Sequence, residues 1–161
     1  TGAAQYAYVK APTFALVSAS IANVPGTSGS LTQQANATIK FNVTATGGDI
    51  YVRNVSTTAA SSGIVARQVI DTGSASSTLS QTFTTNATSG TNAWRIASGD
   101  TKWFEVSGLI TQTGIAGFWE SMNLLDVKWA TTDDATDAGY TTQTWGLDDI
   151  KTGSAYLNPT S

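Results

Sequence analysis

Carboxylate side chains are concentrated in the last third of this 161-residue sequence, which carries eleven acidic residues. Five of them fall within seventeen positions: Asp133, Asp134, Asp137, Asp148 and Asp149. Carboxylate and carbonyl oxygens on loops are the ligands that calcium prefers. The cluster therefore predicts a calcium site, with a spacing unlike that of an EF-hand. The alternative is a solvated acidic loop in which the aspartates cap turns.

Histidine and cysteine are both missing from the sequence. Their absence excludes a Ser-His-Asp triad, histidine-ligated zinc, a thiol nucleophile and disulfides. A hydrolase built from this chain would rely on carboxylates, and Glu105, Glu120 and Asp126 are the further candidates. Glu105 and Glu120 lie in segments with ordinary strand alternation, and nothing places two carboxylates across a cleft. We therefore expect no enzyme and assign no catalytic residue.

Five tryptophans are many for a chain of this length. Trp94, Trp103 and Trp145 are candidates for a glycan-stacking platform, because an exposed aromatic ring packs well against a sugar. Trp119 and Trp129 share the parity of apolar neighbours, which predicts that both belong to the core. For every one of these residues, packing in the core is the competing role.

Four asparagines stand in N-x-Ser/Thr sequons, which accept glycans on surface loops of secreted proteins. They are Asn36, Asn42, Asn54 and Asn86. Alternation places Asn42 and Asn54 on outward-facing positions of strands. These sites matter only in a source that glycosylates its surface proteins.

Alternation of apolar and polar residues dominates the chain and predicts β-strands. The clearest case is residues 37–46, where Ile39, Phe41 and Val43 face one way and polar residues face the other. The turn residues Gly47 and Gly48 then lead into a second strand. The predicted strands are 14–22, 37–46, 50–55, 64–70, 78–85, 93–97, 102–110, 117–130 and 154–157.

The fold class follows from this series of short strands. No segment shows a sustained helical period, so we expect at most one helical turn. Strands separated by Gly, Ser, Thr and Asn clusters predict an all-β sandwich of immunoglobulin-like or jelly-roll-like type, with about eight or nine strands. The 27 threonines and 17 serines suit half-buried pleated surfaces. Residues 13–161 are expected to form this single domain.

Residues 1–12 precede the first convincing strand, yet they also alternate. This leader is either a flexible end or edge strand of its own domain, or a donor strand that completes a neighbouring subunit's sheet. In the second case the contacts with that subunit are expected from Ala4, Tyr6, Tyr8 and Val9.

The charge balance limits the partners of this chain. Eight Lys and Arg residues and a net charge of −3 offer no basic patch for nucleic acid. No apolar run approaches the roughly 20 residues that a membrane-spanning helix requires. We therefore expect neither a nucleic-acid partner nor a membrane span.

Two stretches of the sequence carry a resemblance to a known family. The first comprises residues 37–45 (ATIKFNVTA) and 47–51 (GGDIY). The second comprises 125–129 (LDVKW), 131–134 (TTDD), Tyr140 and 146–152 (GLDDIKT). Over residues 37–157 the chain resembles an immunoglobulin-like domain of secreted surface proteins from uncultivated small-genome bacteria. The resemblance implies an extracellular or cell-surface location and an architectural or adhesive role, and it transfers no catalytic residues.

Two functions of different classes are compatible with these features. The first is a structural subunit of an extracellular, pilus-like filament or surface layer, whose partners are copies of itself joined by donor-strand complementation. A solitary sandwich with a strand-capable leader is similar in plan to such subunits. The alternative is a carbohydrate-binding or adhesive module of a larger cell-surface protein.

Overall fold

The computed structural model describes residues 9–24, 32–54, 63–70, 76–113 and 117–157. Within these ranges the chain forms eleven β-strands and one 3-10 turn, Asp137–Gly139. The strands are β1 (Ala11–Val24), β2 (Thr32–Thr46), β3 (Ile50–Arg53), β4 (Ile64–Ile70), β5 (Ser76–Thr85), β6 (Thr88–Ser89), β7 (Ala93–Ile96), β8 (Thr101–Thr113), β9 (Phe118–Ala130), β10 (Thr141–Gln143) and β11 (Ala155–Leu157).

Two antiparallel sheets make up the fold, and they confirm the predicted all-β sandwich. The four-stranded sheet has the order β1-β2-β8-β5. The second sheet has the order β10-β9-β3-β7-β6, and β4 and β11 also pair with β9. β9 thus pairs with four strands: with β10 and β3 near Trp129, with β11 near Trp119, and with β4 along residues 120–127.

The core lies between the sheets and follows from the alternation of β2. Alternate β2 side chains from Ala35 to Ala45 are at most 1% exposed. Phe41 stacks on Phe104 of β8 with ring centroids 5.9 Å apart, and Phe104 meets the edge of Trp94 from the opposite sheet at 5.6 Å. Burial of each such large apolar side chain contributes roughly 1.5–3 kcal/mol. The contact between Phe104 and Trp94 therefore joins the two sheets, whereas that between Phe41 and Phe104 lies within the four-stranded sheet.

Each of the nine predicted strands coincides with an observed strand, and β2 and β8 extend further than predicted. Apart from the buried Ala35, their additional residues are polar, for example Gln34, whose side-chain amide donates to Thr111 Oγ1 at 3.2 Å. Such residues are held extended by a partner strand distant in the sequence, which local alternation does not reveal. The strands β6 and β10, of two and three residues, were not predicted, because so few residues carry no period.

Helical structure in the described part of the chain amounts to the single turn Asp137–Gly139, as expected from the sequence. Among the described residues no helix is both long and apolar enough to cross a membrane.

Candidate functional site

The first candidate site is the outer edge of β1. β1 is fourteen residues long and, among the described residues, pairs with β2 alone. No charged residue occurs between Ala11 and Val24, and Leu16 and Val17 are 42% and 51% exposed. The Val24 end is fixed to β11, because the Asn23 amide donates to the Tyr156 carbonyl at 2.7 Å. The half of β1 nearer Ala11 therefore presents unpaired backbone groups to solvent.

Val9, the first described residue of the leader, lies against the turn between β2 and β3. A Cβ at Gly47 would overlap the carbonyl oxygen of Val9, and Gly47 also has a φ of 77°. Both observations favour glycine at the β2–β3 turn, where Val9 passes with 87% of its surface exposed. The other predicted donor-strand residues, Ala4, Tyr6 and Tyr8, lie outside the described residues.

The second candidate site depends on a β-bulge in β9. Val65 of β4 pairs with Asp126, but the next residue, Ala66, pairs with Leu124, so Leu125 is an extra residue. A bulge of this kind reverses the alternation on either side of it. Beyond the bulge Val127 and Trp129 are buried, whereas before it Trp119 is 47% exposed.

The bulge therefore overturns part of the predicted side-chain orientation of β9. Trp119, predicted to belong to the core because it shares the parity of Leu125 and Trp129, is exposed, as is Leu125, while Glu120 on the opposite parity is 1% exposed. The assignment of Trp129 is confirmed. Its buried indole N–H donates to Gln143 Oε1 at 3.0 Å, which satisfies the polar atom within the core.

An exposed aromatic pair results on the outer surface of the second sheet. Trp119 lies directly opposite Tyr156 of β11, with ring centroids 5.4 Å apart and planes tilted by 57°. Tyr156 is 42% exposed. A Cβ at Gly117 would overlap the Tyr156 ring, so the missing side chain makes room for this arrangement. Each ring thus restricts the orientation of the other while half of both surfaces stays in solvent.

A cleft of about 480 Å³ lies further along β9, around Asn123. Its lining includes apolar Val69 and Leu125 and five polar residues: Arg67, Asn123, Thr144, Asp148 and Lys151. We call this cleft together with Trp119, Ser121 and Tyr156 the β9 outer face. Trp119, Ser121 and Asn123 of β9 alternate with buried residues, which places them on one side of the sheet together with Arg67 and Val69 of β4.

The three tryptophans predicted as a glycan platform are not brought together. Trp94 packs against the core beside Phe104, whereas Trp103, the neighbour of Phe104 on β8, points to the opposite side of that sheet. There Trp103 contacts the Lys40 ammonium group, 4.1 Å from the ring centroid. Trp145 is 50% exposed in the loop after β10. The aromatic row is therefore not formed by these three residues, because alternation on β8 separates Trp103 from Trp94.

The acidic cluster consists of separate aspartates with different partners. Asp133 accepts hydrogen bonds from the backbone N–H groups of Thr91 and Asn92 at 3.2 and 3.1 Å. Asp134 accepts from the N–H and hydroxyl groups of Thr136, and these bonds hold the pKa of Asp134 below its usual range. These contacts are those of aspartates that cap turns.

Asp137 forms ion pairs with Arg53 and Lys128 at 2.7 and 3.1 Å. Asp148 and Asp149 are exposed on a different loop. In the part of the chain that the structure describes, no group of three or more acidic, histidine or cysteine side chains is arranged to hold a metal ion. The geometry therefore favours the acidic-loop alternative over the calcium site.

We predict that calcium and chelator leave the stability of the protein unchanged. The melting temperature in EGTA should equal that in millimolar calcium chloride. A calcium ion that bound only the folded state would raise the melting temperature by mass action, and we expect no such binding. Differential scanning calorimetry measures both. An increase of several degrees in calcium that magnesium does not reproduce would restore the calcium hypothesis.

The three further carboxylate candidates for catalysis are in three different environments. Glu105 lies 3.9 Å from the Lys40 ammonium group on the outside of the four-stranded sheet, and Glu120 is buried between the sheets. Asp126 is half-buried beside the bulge, and burial raises the pKa of its carboxyl group. They do not form an acid–base pair, and the expectation that the chain is not an enzyme stays a prediction.

The four sequon asparagines differ in accessibility. Asn36 and Asn86 are exposed, and Asn42 and Asn54 are partly buried. The Asn86 side chain accepts a hydrogen bond from the backbone N–H group of Trp103 at 2.8 Å. A glycan on Asn86 would therefore compete with this contact. Glycosylation stays a prediction for all four positions.

No family model, curated protein or solved structure matches the chain. Any proposal on function therefore relies on the β1 edge and on the β9 outer face.

Proposed function

We propose that this protein is a structural subunit of an extracellular filament or surface layer, and that β1 is the edge at which a strand of the next subunit pairs. The observation that carries the proposal is the outer edge of β1, which is long, uncharged and apolar. The extracellular location follows the resemblance to secreted surface domains.

Edge strands of monomeric proteins are normally protected against pairing. Short length, lysine side chains, proline and bulges are the usual devices. β1 has Pro12 near its start and an irregular register at Val17, but it carries no lysine and is fourteen residues long. The opposite edge of the same sheet, β5, has ten residues and also no charge. Because both of its edge strands are long and uncharged, this sheet favours pairing with a strand of another subunit.

The leader supplies a donor strand of suitable composition. Residues 2–10 alternate, which allows Tyr6 and Tyr8 to enter pockets while the backbone completes the ladder. Val9, the last of the predicted donor-strand residues, is highly exposed just before β1. Donation from each subunit to the next is a head-to-tail contact, which does not close on itself and therefore yields fibres.

Deletion of residues 1–10 tests the proposal, since it removes the donor segment and leaves β1 complete. We expect fibres of the full chain in negative-stain electron microscopy and a monomer of the truncated chain in light scattering. Val17→Lys should have the same effect, because a lysine on the acceptor edge opposes strand pairing. Val69→Lys is the matched control: it places the same substitution at a 40% exposed site on β4 of the other sheet and should leave fibres intact.

The outcomes separate the two halves of the proposal. Fibres that persist without residues 1–10 would overturn strand donation by the leader. Fibres that survive Val17→Lys but not Val69→Lys would overturn the assignment of β1 as the acceptor edge. A full chain that stays monomeric at every concentration would overturn the structural role itself.

A further inference from the structure

The β9 outer face carries a row of polar groups that the assembly proposal does not use. Asn123 lies opposite Arg67 on one side and opposite Lys151 on the other. Neighbouring strands are about 4.8 Å apart, so the two cationic residues begin roughly 10 Å apart with an amide between them. Arg67, Asn123 and Lys151 all line the cleft of the β9 outer face.

The two cations of this row form no ion pair with an acid of the described structure, and the carboxylate of Asp148 lines the same cleft. Five of the eight cationic residues form ion pairs with acids: Lys40, Arg53, Arg95, Lys102 and Lys128. Among the described residues, Arg67 and Lys151 form none, and both are exposed. The chain as a whole is acidic, with a net charge of −3. Two adjacent unpaired cations on such a protein are complementary to an anionic group of a ligand, and guanidinium binds carboxylates with particular geometric fit.

The aromatic pair extends this site along β9. Trp119 is four residues from Asn123 on the same side of the strand, a distance of roughly 13 Å. The exposed faces of Trp119 and Tyr156 offer apolar surface for the C–H face of a sugar ring. Asn123 and Asp148, which lies in the cleft, provide hydrogen-bonding groups for hydroxyls. The length of the face suits a chain of sugars better than one monosaccharide.

From this arrangement we propose that the β9 outer face binds a carboxylate-bearing polysaccharide of the uronic-acid type. The sugar rings pack on Trp119 and Tyr156, and a carboxylate further along the polymer lies between Arg67 and Lys151. The arrangement is built before binding, because Gly117 and the contact between the two rings fix the aromatic pair. A preorganised site loses less entropy when the ligand is ordered.

Other occupants fit the face less well. Nucleic acid carries a phosphate at each nucleotide and is bound through many cations, whereas this face has two. A second copy of the chain would favour a continuous apolar patch, but Ser121, Asn123 and Arg67 interrupt the apolar residues here.

The test uses isothermal titration calorimetry of the full chain with oligogalacturonate as the probe and a neutral dextran oligomer as its control. We expect binding of the acidic oligomer that weakens with added salt. Trp119→Ala should reduce the affinity by about tenfold or more. The double variant Arg67→Gln, Lys151→Gln should abolish the preference over dextran. Trp103→Ala and Lys102→Gln, on the other sheet, are matched controls and should bind like the unmodified chain.

Several results would overturn the site. One is that the full chain binds dextran and oligogalacturonate with equal affinity, and another is that it binds neither. A single-stranded oligodeoxynucleotide that binds more tightly than oligogalacturonate would also overturn the site, as would an effect of Trp103→Ala as large as that of Trp119→Ala. A change in oligomeric state of Trp119→Ala in light scattering, without a change in sugar affinity, would indicate a second copy instead. If Trp119→Ala fails to fold by circular dichroism, the charge variants at exposed positions decide the question. Fibre formation is scored separately, so loss of one property leaves the other measurable.

Discussion

Replacing Phe41 with alanine should lower the free energy of unfolding by about 3–5 kcal/mol. The Phe41 side chain is fully buried in β2 and contacts two further rings, Phe104 at 5.9 Å and Phe14 at 6.4 Å between centroids. Its removal leaves a cavity that neighbouring strands cannot fill, since backbone ladders on both sides hold β2 in place. Urea unfolding monitored by tryptophan fluorescence provides the measurement.

The controls for this prediction are two other aromatic residues. Phe14→Ala should cost less, because Phe14 lies on the edge strand and is only partly buried. Trp145→Ala should change the free energy by at most about 0.5 kcal/mol, since half of that side chain is already in solvent. A loss for Phe41→Ala no greater than that for Phe14→Ala would contradict the assignment of Phe41 to the centre of the core.

Prediction from sequence succeeds here where one strand face is apolar over its whole length. β2 is such a strand, and the alternation of Ile39, Phe41 and Val43 identifies its centre, its C-terminal end and its buried side. Local alternation contains the required information because the period of a regular strand is two residues. The same reasoning identifies the sandwich as a whole, because strands such as β2 and β8 show the pattern over most of their length.

The aromatic pair of the β9 outer face was not predicted, and the reason is the bulge. Alternation was extended through Leu125 as if β9 were regular, which placed Trp119 in the core. A signal was present in the sequence: Ser121 and Asn123 share the parity of Trp119, whereas Phe118 and Met122 lie on the other. The adjacent pair Leu124 and Leu125 marks the place where the period changes.

The partnership of Trp119 with Tyr156 needs further information that no local pattern contains. The two residues are cross-strand neighbours because β11 pairs with the first residues of β9. That register is set by the preceding segment, in which Thr152 Oγ1 accepts from the Met122 N–H group at 2.9 Å and the Thr152 N–H donates to the Met122 carbonyl. Contacts of this range depend on the assembled fold, so the candidates from the sequence include the exposed Trp145 but miss the pair of Trp119 and Tyr156.

A cluster of aspartates in the sequence supports two hypotheses, a cation site and capped turns. The choice between them requires the residues that contact each aspartate. Aspartates within a few residues of each other predict a cation site, and they equally predict capped turns. The decisive residues are cations elsewhere in the chain. Arg53 of β3 and Lys128 of β9 converge on Asp137, so the loop already has its positive charges from the protein itself.

This account of the loop predicts that Arg53→Ala destabilises the protein by about 2 kcal/mol. The Arg53 side chain is 17% exposed, its Nε lies 2.7 Å from Asp137 Oδ1, and its guanidinium lies 5.1 Å from the centroid of the Tyr140 ring. Breaking a fully buried pair costs about 3–5 kcal/mol, and the expected loss is smaller here because Asp137 is 47% exposed and keeps Lys128.

Arg95→Ala is the matched control for the loop prediction. Arg95 also pairs with an aspartate, Asp49, at 2.7 Å, but its own side chain is 51% exposed. The two variants thus remove the same chemical contact from a shielded and from a solvated position, and the free energies of unfolding from urea titrations should differ accordingly. Because Tyr140 packs beneath Arg53 and its hydroxyl donates to the Asp134 carbonyl, Arg53→Ala should also increase amide hydrogen exchange in residues 133–140. Equal losses for the two variants, with unchanged exchange in that segment, would show that Arg53 does not anchor the acidic loop.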